Sequence, residues 1–351
     1  MTVLEHLKSA SSPEDVFGKL AGGKDDQMAE AKRIFRRLAL AIHPDHHTGA
    51  DKDEANEAMA LLNRWWDETR RQIEAGEYGQ KLTVLAVGGK TIRVGRRIRV
   101  GSVCNDYHCT IDGDNRPLIF RTVRSPRDND LVEAEVQTIQ KLRTSKHHDF
   151  YPYIPETILS CRATFGATTR QGMVLTYREG FYSIEEVMRA HSALDPRDVA
   201  WMYKRLLAAL GFAHAEGRVF GAVLPSHVYL HPGDHGLLLA DWHFSVQVGR
   251  PLRAIDAAYE SWYPPEVASK GEVGSWTDLF MAARCGIYLL GGTPARLSSS
   301  VPRSIQNFLR ASLIPNPFRR PADAWELHEE FDSLLLSLYG PRKWRPLRMP
   351  T

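Results

Sequence analysis

Residues 212–244 read FAHAEGRVFGAVLPSHVYLHPGDHGLLLADWHF, and the rest of the chain falls into place around them. His227, His231 and His235 recur at a spacing that a helix would gather on one face. Pro232-Gly233-Asp234 breaks such a helix and makes the segment a hairpin, so the three histidines lie on a strand and a turn and do not form a metal site. Upstream, Asp195-Pro196-Arg197-Asp198 is a helix start, an N-cap followed by proline at the first helical position. Val199, Met202, Leu206, Leu210 and Ala213 then form its buried stripe. Further back, residues 81–123 alternate in short runs, TVLAV, KTIRV, RRIRV, HCTI and LIFRTV, punctuated by Gly-Gly and by Asp112-Gly113-Asp114-Asn115. That pattern predicts an antiparallel sheet, with a helix from Asn129 to Leu142 after it. Within the sheet Ile92, Val94, Ile98 and Val100 are expected to face inward. Lys90, Arg93, Arg96, Arg97 and Arg99 are expected on a solvated outer face, with contact to the acidic first region as the second reading.

The chain has 351 residues, of which 43% are hydrophobic and 25% charged, enough apolar side chain for real cores and too much for a disordered chain. A net charge of +3 excludes a dedicated polyanion binder. The cysteines at 104, 109, 161 and 285 show no zinc-type pairs and are too sparse for a disulfide scaffold. The first residues hold no apolar run fit for a signal peptide. Leu279 to Gly292, the most apolar stretch, carries Arg284 and is too short to span a bilayer. The expectation is a reduced, soluble, cytoplasmic protein with no membrane partner.

Charge divides the chain. Residues 1–79 hold 11 Lys/Arg and 15 Asp/Glu, a net −4, and the remainder carries a net +7, with a boundary near Gly76–Gly79. Three helices are expected in the first part. Ser12-Pro13-Glu14-Asp15 starts a short one running to about Leu20. A second runs from about Asp26 to Ile42, with Ala31, Ile34, Phe35, Leu38 and Ile42 on one arc and Lys32, Arg33, Arg36 and Arg37 on the other. It stops before Pro44, which disfavours helix in its predecessor. A third, from about Asp53 to Ala75, turns Ala55, Met59, Leu62, Trp66 and Ile73 toward the second.

Between the long helices lies His43-Pro44-Asp45-His46-His47. The runs RIFRRLALAIHPDHHTG and EANEAMALLNRWWD resemble a J-domain, the signature module of DnaJ co-chaperones. The resemblance implies docking on a DnaK-type heat-shock chaperone and triggering of its ATP hydrolysis. His43, Pro44 and Asp45 would be the trigger, and Lys32, Arg33, Arg36 and Arg37 the docking face. The chemistry suits that role. Four cations on one face of an acidic domain focus a positive patch on an acidic partner. Pro44 stiffens the loop, and Asp45 offers a carboxylate to a partner arginine. His43, His46 and His47 have no fourth ligand at sensible spacing for a metal, and the acidic surroundings argue against nucleic acid.

Residues 97–337 resemble a protein kinase, a small sheet lobe followed by a larger helical one. Val100-Gly101-Ser102 and Tyr107 stand where a kinase has its glycine-rich loop, with one glycine kept. Arg121, in LIFR, takes the position of the phosphate-binding lysine, and Glu135, in AEVQTIQKL, that of its glutamate partner. LTYREG at 175–180 resembles the inter-lobe hinge. Anchoring on Pro225 puts Phe220, Gly221 and Ala222 where a kinase has His-Arg-Asp, so the proton-accepting position holds an alanine. The metal-binding asparagine position is His227, and Asp241-Trp242-His243 replaces Asp-Phe-Gly. Positions that hold the fold are kept: Glu266 in Tyr263-Pro264-Pro265-Glu266, Arg320 in Arg319-Arg320-Pro321, and Asp278, expected to brace the catalytic-loop backbone.

The expected fold class is therefore α+β and multi-domain. A helical J-domain-like hairpin (1–76) precedes a linker and leading β-hairpin (77–96), a kinase-like N-lobe (97–178), a C-lobe (179–340) and a basic tail (341–351) with Arg342, Lys343, Arg345 and Arg348 around Trp344. The expected function is that of a DnaJ-type co-chaperone whose inactive kinase-like domain serves as a protein-interaction or nucleotide-sensing platform for a client. The alternative is an atypical ATP-dependent kinase or nucleotidyl transferase. Gly101, Arg121, Glu135 and Asp241 are the candidate nucleotide-binding residues, Asp241 the candidate magnesium ligand, and ATP with magnesium the candidate cofactor.

Overall fold

The computed structural model describes residues 2–10, 12–44, 50–76, 78–79, 83–165 and 168–349. The chain is a mixed helix-and-sheet protein that divides into two compact units, Met1–Ala86 with Thr91–Arg96, and Val87–Lys90 with Arg97–Thr351. Among the described residues, no helix is long and apolar enough to cross a membrane.

The first unit holds α1 (Val3–Ser9), α2 (Pro13–Phe17), α3 (Lys24–Ala41) and α4 (Ala50–Ala75). The expectation of three helices omitted α1, whose start is a capping box: the Thr2 hydroxyl accepts from the Glu5 amide (3.2 Å), and the Glu5 carboxylate accepts from the Thr2 amide (2.7 Å). α2 begins where Ser12 and Pro13 predict but ends at Phe17 rather than Leu20, because Gly18 turns the backbone to φ 72°. α3 turns Ala31, Ile34, Phe35 and Leu38 toward α4, and Ile42, buried, caps it. On α4, Ala55, Leu62 and Ile73 are buried and Trp66 packs on Phe35 with ring centroids 5.1 Å apart. Burying Leu62 and Ile73 fully contributes about 1.5–3 kcal/mol each. The Trp65 indole N–H, donating to the Leu7 carbonyl at 3.2 Å, ties α1 to α4.

Six strands follow the sheet order β1-β2-β3-β4-β6-β5: β1 (Thr83–Val87), β2 (Lys90–Val100), β3 (Cys104–Ile111), β4 (Asp114–Val123), β5 (Thr157–Phe165) and β6 (Thr168–Thr176). Gly88 and Gly89, at φ 54° and 77°, make the tight turn between β1 and β2. In the second unit β4 runs antiparallel to both β3 and β6, which puts Arg121 opposite Asp106 on one side and Met173 on the other. α5 (Asn129–Leu142) has the predicted bounds and buries Val132, Val136 and Ile139 together with Glu135.

Beyond β6 the chain is mainly helical: α6 (Ile184–Ala190), α7 (Pro196–Ala215), α8 (Pro265–Ala268), α9 (Ser275–Leu289), α10 (Arg303–Ala311) and α11 (Ala324–Tyr339). The predicted stripe of α7 is buried, and so are Tyr203, Leu207 and Phe212, so α7 is a central helix rather than an amphipathic surface one. Short strands punctuate this region. β7 (Tyr182–Ser183), β9 (Val228–His231) and β10 (Gly236–Leu239) form a small sheet, with β9 and β10 the predicted hairpin, and β8 (Arg218–Val219) pairs with β11 (Val246–Gln247). All four cysteines are buried free thiols.

Candidate functional site

Arg121 on β4 reaches Glu135 of α5 at 2.8 Å, the pairing that the sequence predicts. It also forks onto Asp106, its cross-strand neighbour on β3, with Nε at 2.8 Å from Oδ1 and Nη2 at 3.0 Å from Oδ2. Its Nη1 lies 2.9 Å from Asp241 Oδ1. A second arginine enters from β2. Arg99 donates through Nη1 and Nη2 to the two oxygens of Asp241 at 2.6 and 2.5 Å, and through Nε to Asp106 at 2.8 Å. This corrects the expected alternation of β2: Arg99 turns inward to the acids, whereas Val100, expected inside, is 56% exposed. The physical reason is that burying Asp106 and Asp241 together requires more positive charge than Arg121 alone supplies.

Asp106, Arg121, Glu135 and Asp241 are all buried, and the cluster holds three carboxylates against two guanidiniums. Burial by itself raises the Asp241 carboxyl, but the guanidiniums of Arg99 and Arg121 outweigh it and hold the group well below the usual carboxylate range. Asp106 is lowered in the same way, against its burial, by Arg121 and Arg99. Both arginines are raised well above their ordinary value by Asp106 and Asp241, despite burial. Histidines close the rim: His243 Nδ1 is 3.2 Å from Glu135, and His227 Nε2 is 3.5 Å from Asp241 and 3.4 Å from Asp256. Trp242 is buried, its amide donating to Glu135 at 3.1 Å and its indole N–H to the Leu239 carbonyl at 2.9 Å.

Glu135, Asp241 and His243 each bring one ligand-type atom within 4.8 Å of the others. They do not fit a divalent cation as they stand. Both Asp241 oxygens already accept from Arg99, and Glu135 already accepts from Arg121 and from the Trp242 amide. The same holds at Gly101, expected to approach a phosphate. Its amide donates to the Cys104 carbonyl at 2.8 Å and its carbonyl accepts from Arg124 at 3.0 Å, so it closes a turn. Ala222 is fully buried and presents only a methyl group. Above the cluster lies a cleft of about 940 Å³ whose lining includes Ile119, Leu175, Tyr177, Tyr229, Arg121 and Asp106. His227 also lines it, while Trp242 and His243 lie buried and do not.

Asp278, Glu266 and Arg320 each make several polar contacts. Asp278 accepts from the amides of Phe220 (2.7 Å) and Gly221 (2.8 Å) and faces His214 Nε2 at 2.9 Å. Gly221 is at φ 76°, and a Cβ there would stand 2.8 Å from the Phe244 carbonyl oxygen. Arg320 forks onto Glu266 at 2.7 and 3.1 Å and also caps the Ile314 and Pro315 carbonyls. The three hairpin histidines go to different partners: His227 to the acids, His231 to the Asp234 amide at 3.0 Å, and His235 to the Arg345 carbonyl at 2.8 Å.

In the first unit Lys32, Arg33, Arg36 and Arg37 are all exposed along α3, and Arg33 pairs with Glu30 at 2.5 Å. His43 is exposed just past the end of α3 and Pro44 is half-buried. Asp45, the third residue of the expected trigger, and His46 and His47 lie outside the described residues.

Reading the sequence missed Arg99 and Asp106. The available signal was an acid at an inward register position, two residues from Cys104, directly across from an arginine that already had a partner. Compared with known proteins, the chain matches no family model and no curated protein sequence.

Proposed function

We propose that the chain is a co-chaperone of the DnaJ type, whose first unit docks on a DnaK-type chaperone and stimulates its ATPase. The observation that carries this reading is the exposed row Lys32, Arg33, Arg36 and Arg37 on α3, ending at the exposed His43 before Pro44. A row of cations on one helix steers an acidic partner, and a proline-stiffened corner loses little entropy on docking. The reading is tested by the ATP turnover of a DnaK-type chaperone in the presence of the full chain. Stimulation that disappears on reversing Arg36 and Arg37 to Glu supports it; turnover unchanged by the added protein removes it.

The second unit, on this reading, is a kinase-like platform that does no phosphoryl transfer. What supports inactivity is the Arg99–Asp241 fork, together with the Ala222 methyl where a proton acceptor would stand. An arginine at 121 keeps the ion pair to Glu135 while spreading its charge over a larger fork already filled by protein acids. The open cleft favours a second reading in which the platform senses a small molecule without turning it over. Transfer of label from ATP to any acceptor, abolished by Asp241→Asn, would instead support the atypical transferase.

A further inference from the structure

A second cavity, of about 670 Å³, lies away from the cleft, between α7, α11 and the C-terminal segment that follows Tyr339. Its wall is built by a stack of rings. His235 sits between Trp201 (centroids 4.1 Å, planes 3° apart) and Trp344 (3.9 Å, 18°). Its Nε2 meets the Arg345 carbonyl at 2.8 Å, so the ring pins the tail over the helices. His235 lies in the hairpin turn between β9 and β10 at a backbone φ of 54°.

The charges around this cavity are lopsided. Arg197, Lys204 and Arg345 are paired, with Asp195, Asp332 and Asp198 respectively. Arg205, Arg342 and Lys343 also line the cavity and make no ion pair among the described residues; Arg205 spends one N–H on the Tyr153 hydroxyl at 3.0 Å. The one carboxylate in the lining, Asp332, is already bound to Lys204. Two lining residues also keep a polar atom without a hydrogen-bond partner, the indole N–H of Trp201 and Nδ1 of His235, but both atoms are packed away from the cavity. With Nε2–H donating to the Arg345 carbonyl, Nδ1 of the neutral ring is an acceptor. The cavity therefore offers three cations that form no direct ion pair, together with aromatic walls, at a volume typical of small-molecule sites.

We propose that this cavity binds a small organic anion with a flat aromatic body, of the aryl phosphate class. The phosphate engages Arg205, Arg342 and Lys343, and the ring lies along the tryptophan walls. This site is independent of the cleft and of the co-chaperone reading.

The test is calorimetric titration of the full chain with 1-naphthyl phosphate, 1-naphthol and inorganic phosphate. The expected result is one site per chain for 1-naphthyl phosphate, at least tenfold tighter than for either of the others. The double variant Arg342→Ala/Lys343→Ala, both exposed tail residues, should weaken it at least tenfold, while Arg189→Ala in the cleft leaves it unchanged. Absence of binding at millimolar ligand, equal binding of naphthol or inorganic phosphate, an unaffected tail variant, or a loss in Arg189→Ala would each overturn the proposal.

Discussion

Arg99 closes both of its terminal nitrogens on the carboxylate of Asp241, at 2.6 and 2.5 Å, from a strand 142 residues earlier in the chain. The acid that resembles a magnesium ligand is thereby neutralised by protein. Arg121 supplies a second guanidinium to the same carboxylate, and Asp106 bridges the two arginines. Together Asp106, Glu135 and Asp241 with Arg99 and Arg121 form a buried ion cluster.

Such a cluster is costly to break from one side. Arg121→Ala leaves Asp106, Glu135 and Asp241 buried with only Arg99, and is expected to destabilise the second unit by about 3–5 kcal/mol in urea unfolding. Arg121→Lys, whose single ammonium cannot span three carboxylates, should lose about half of that. Equal stability of all three proteins would contradict the role given to Arg121.

Magnesium provides a second check. In the native protein, millimolar MgCl2 should move the thermal midpoint by less than about 1 °C, because binding would require a guanidinium to leave. Arg99→Ala leaves three carboxylates against one arginine, and that variant should gain a magnesium-dependent rise of about 2 °C or more. A clear rise in the native protein would show that Arg99 yields the site to a cation.

The depressed carboxyls set the acid limb of stability. Groups whose folded value lies below the unfolded one contribute fully above the unfolded value, near ~3.9 for Asp, and that contribution is lost as pH falls toward the folded value. Asp106 and Asp241 should therefore leave stability flat from about pH 5 to 8 and erode it only below about pH 4. Asp241→Asn should be less stable at pH 7 and fall less steeply between about pH 4 and 2. Parallel acid limbs for the two proteins would contradict the assignment.

Asp278 acts on the backbone rather than on a ligand. Its removal in Asp278→Ala orphans the buried amides of Phe220 and Gly221, each at about 1–3 kcal/mol, so a total loss of about 3–5 kcal/mol is expected by chemical unfolding. Asp278→Asn keeps one acceptor oxygen and should cost less. A loss below about 1 kcal/mol in the alanine variant would mean that the loop is held by other contacts.

Much of this was legible in the sequence because the relevant residues sit on elements with clear signals. Arg121 lies in an alternating run and Glu135 on a helix whose bounds the pattern predicts, and their pairing was expected from the resemblance of LIFR and AEVQTIQKL to a kinase strand and helix. The pairing of Glu266 with Arg320 was expected only from the resemblance of Tyr263-Pro264-Pro265-Glu266 and Arg319-Arg320-Pro321 to two kinase motifs. Arg99 was not, because β2 alternates cleanly enough to assign it to solvent. Only the burial of Asp106 and Asp241, acids from two distant segments, creates the demand that pulls it in. α1 was missed although Thr2 and Glu5 carry its capping box, since seven residues show too little periodicity to register. The ring stack of Trp201, His235 and Trp344 joins a helix, a turn and the tail, and no local pattern announces such a meeting.

The most direct measurement is single-turnover hydrolysis of ATP pre-bound to a DnaK-type chaperone, with and without the full chain and its His43→Gln variant. The account predicts at least a several-fold acceleration by the native protein and none by His43→Gln, with both proteins equally folded. No acceleration, or the same acceleration by the two proteins, would contradict it.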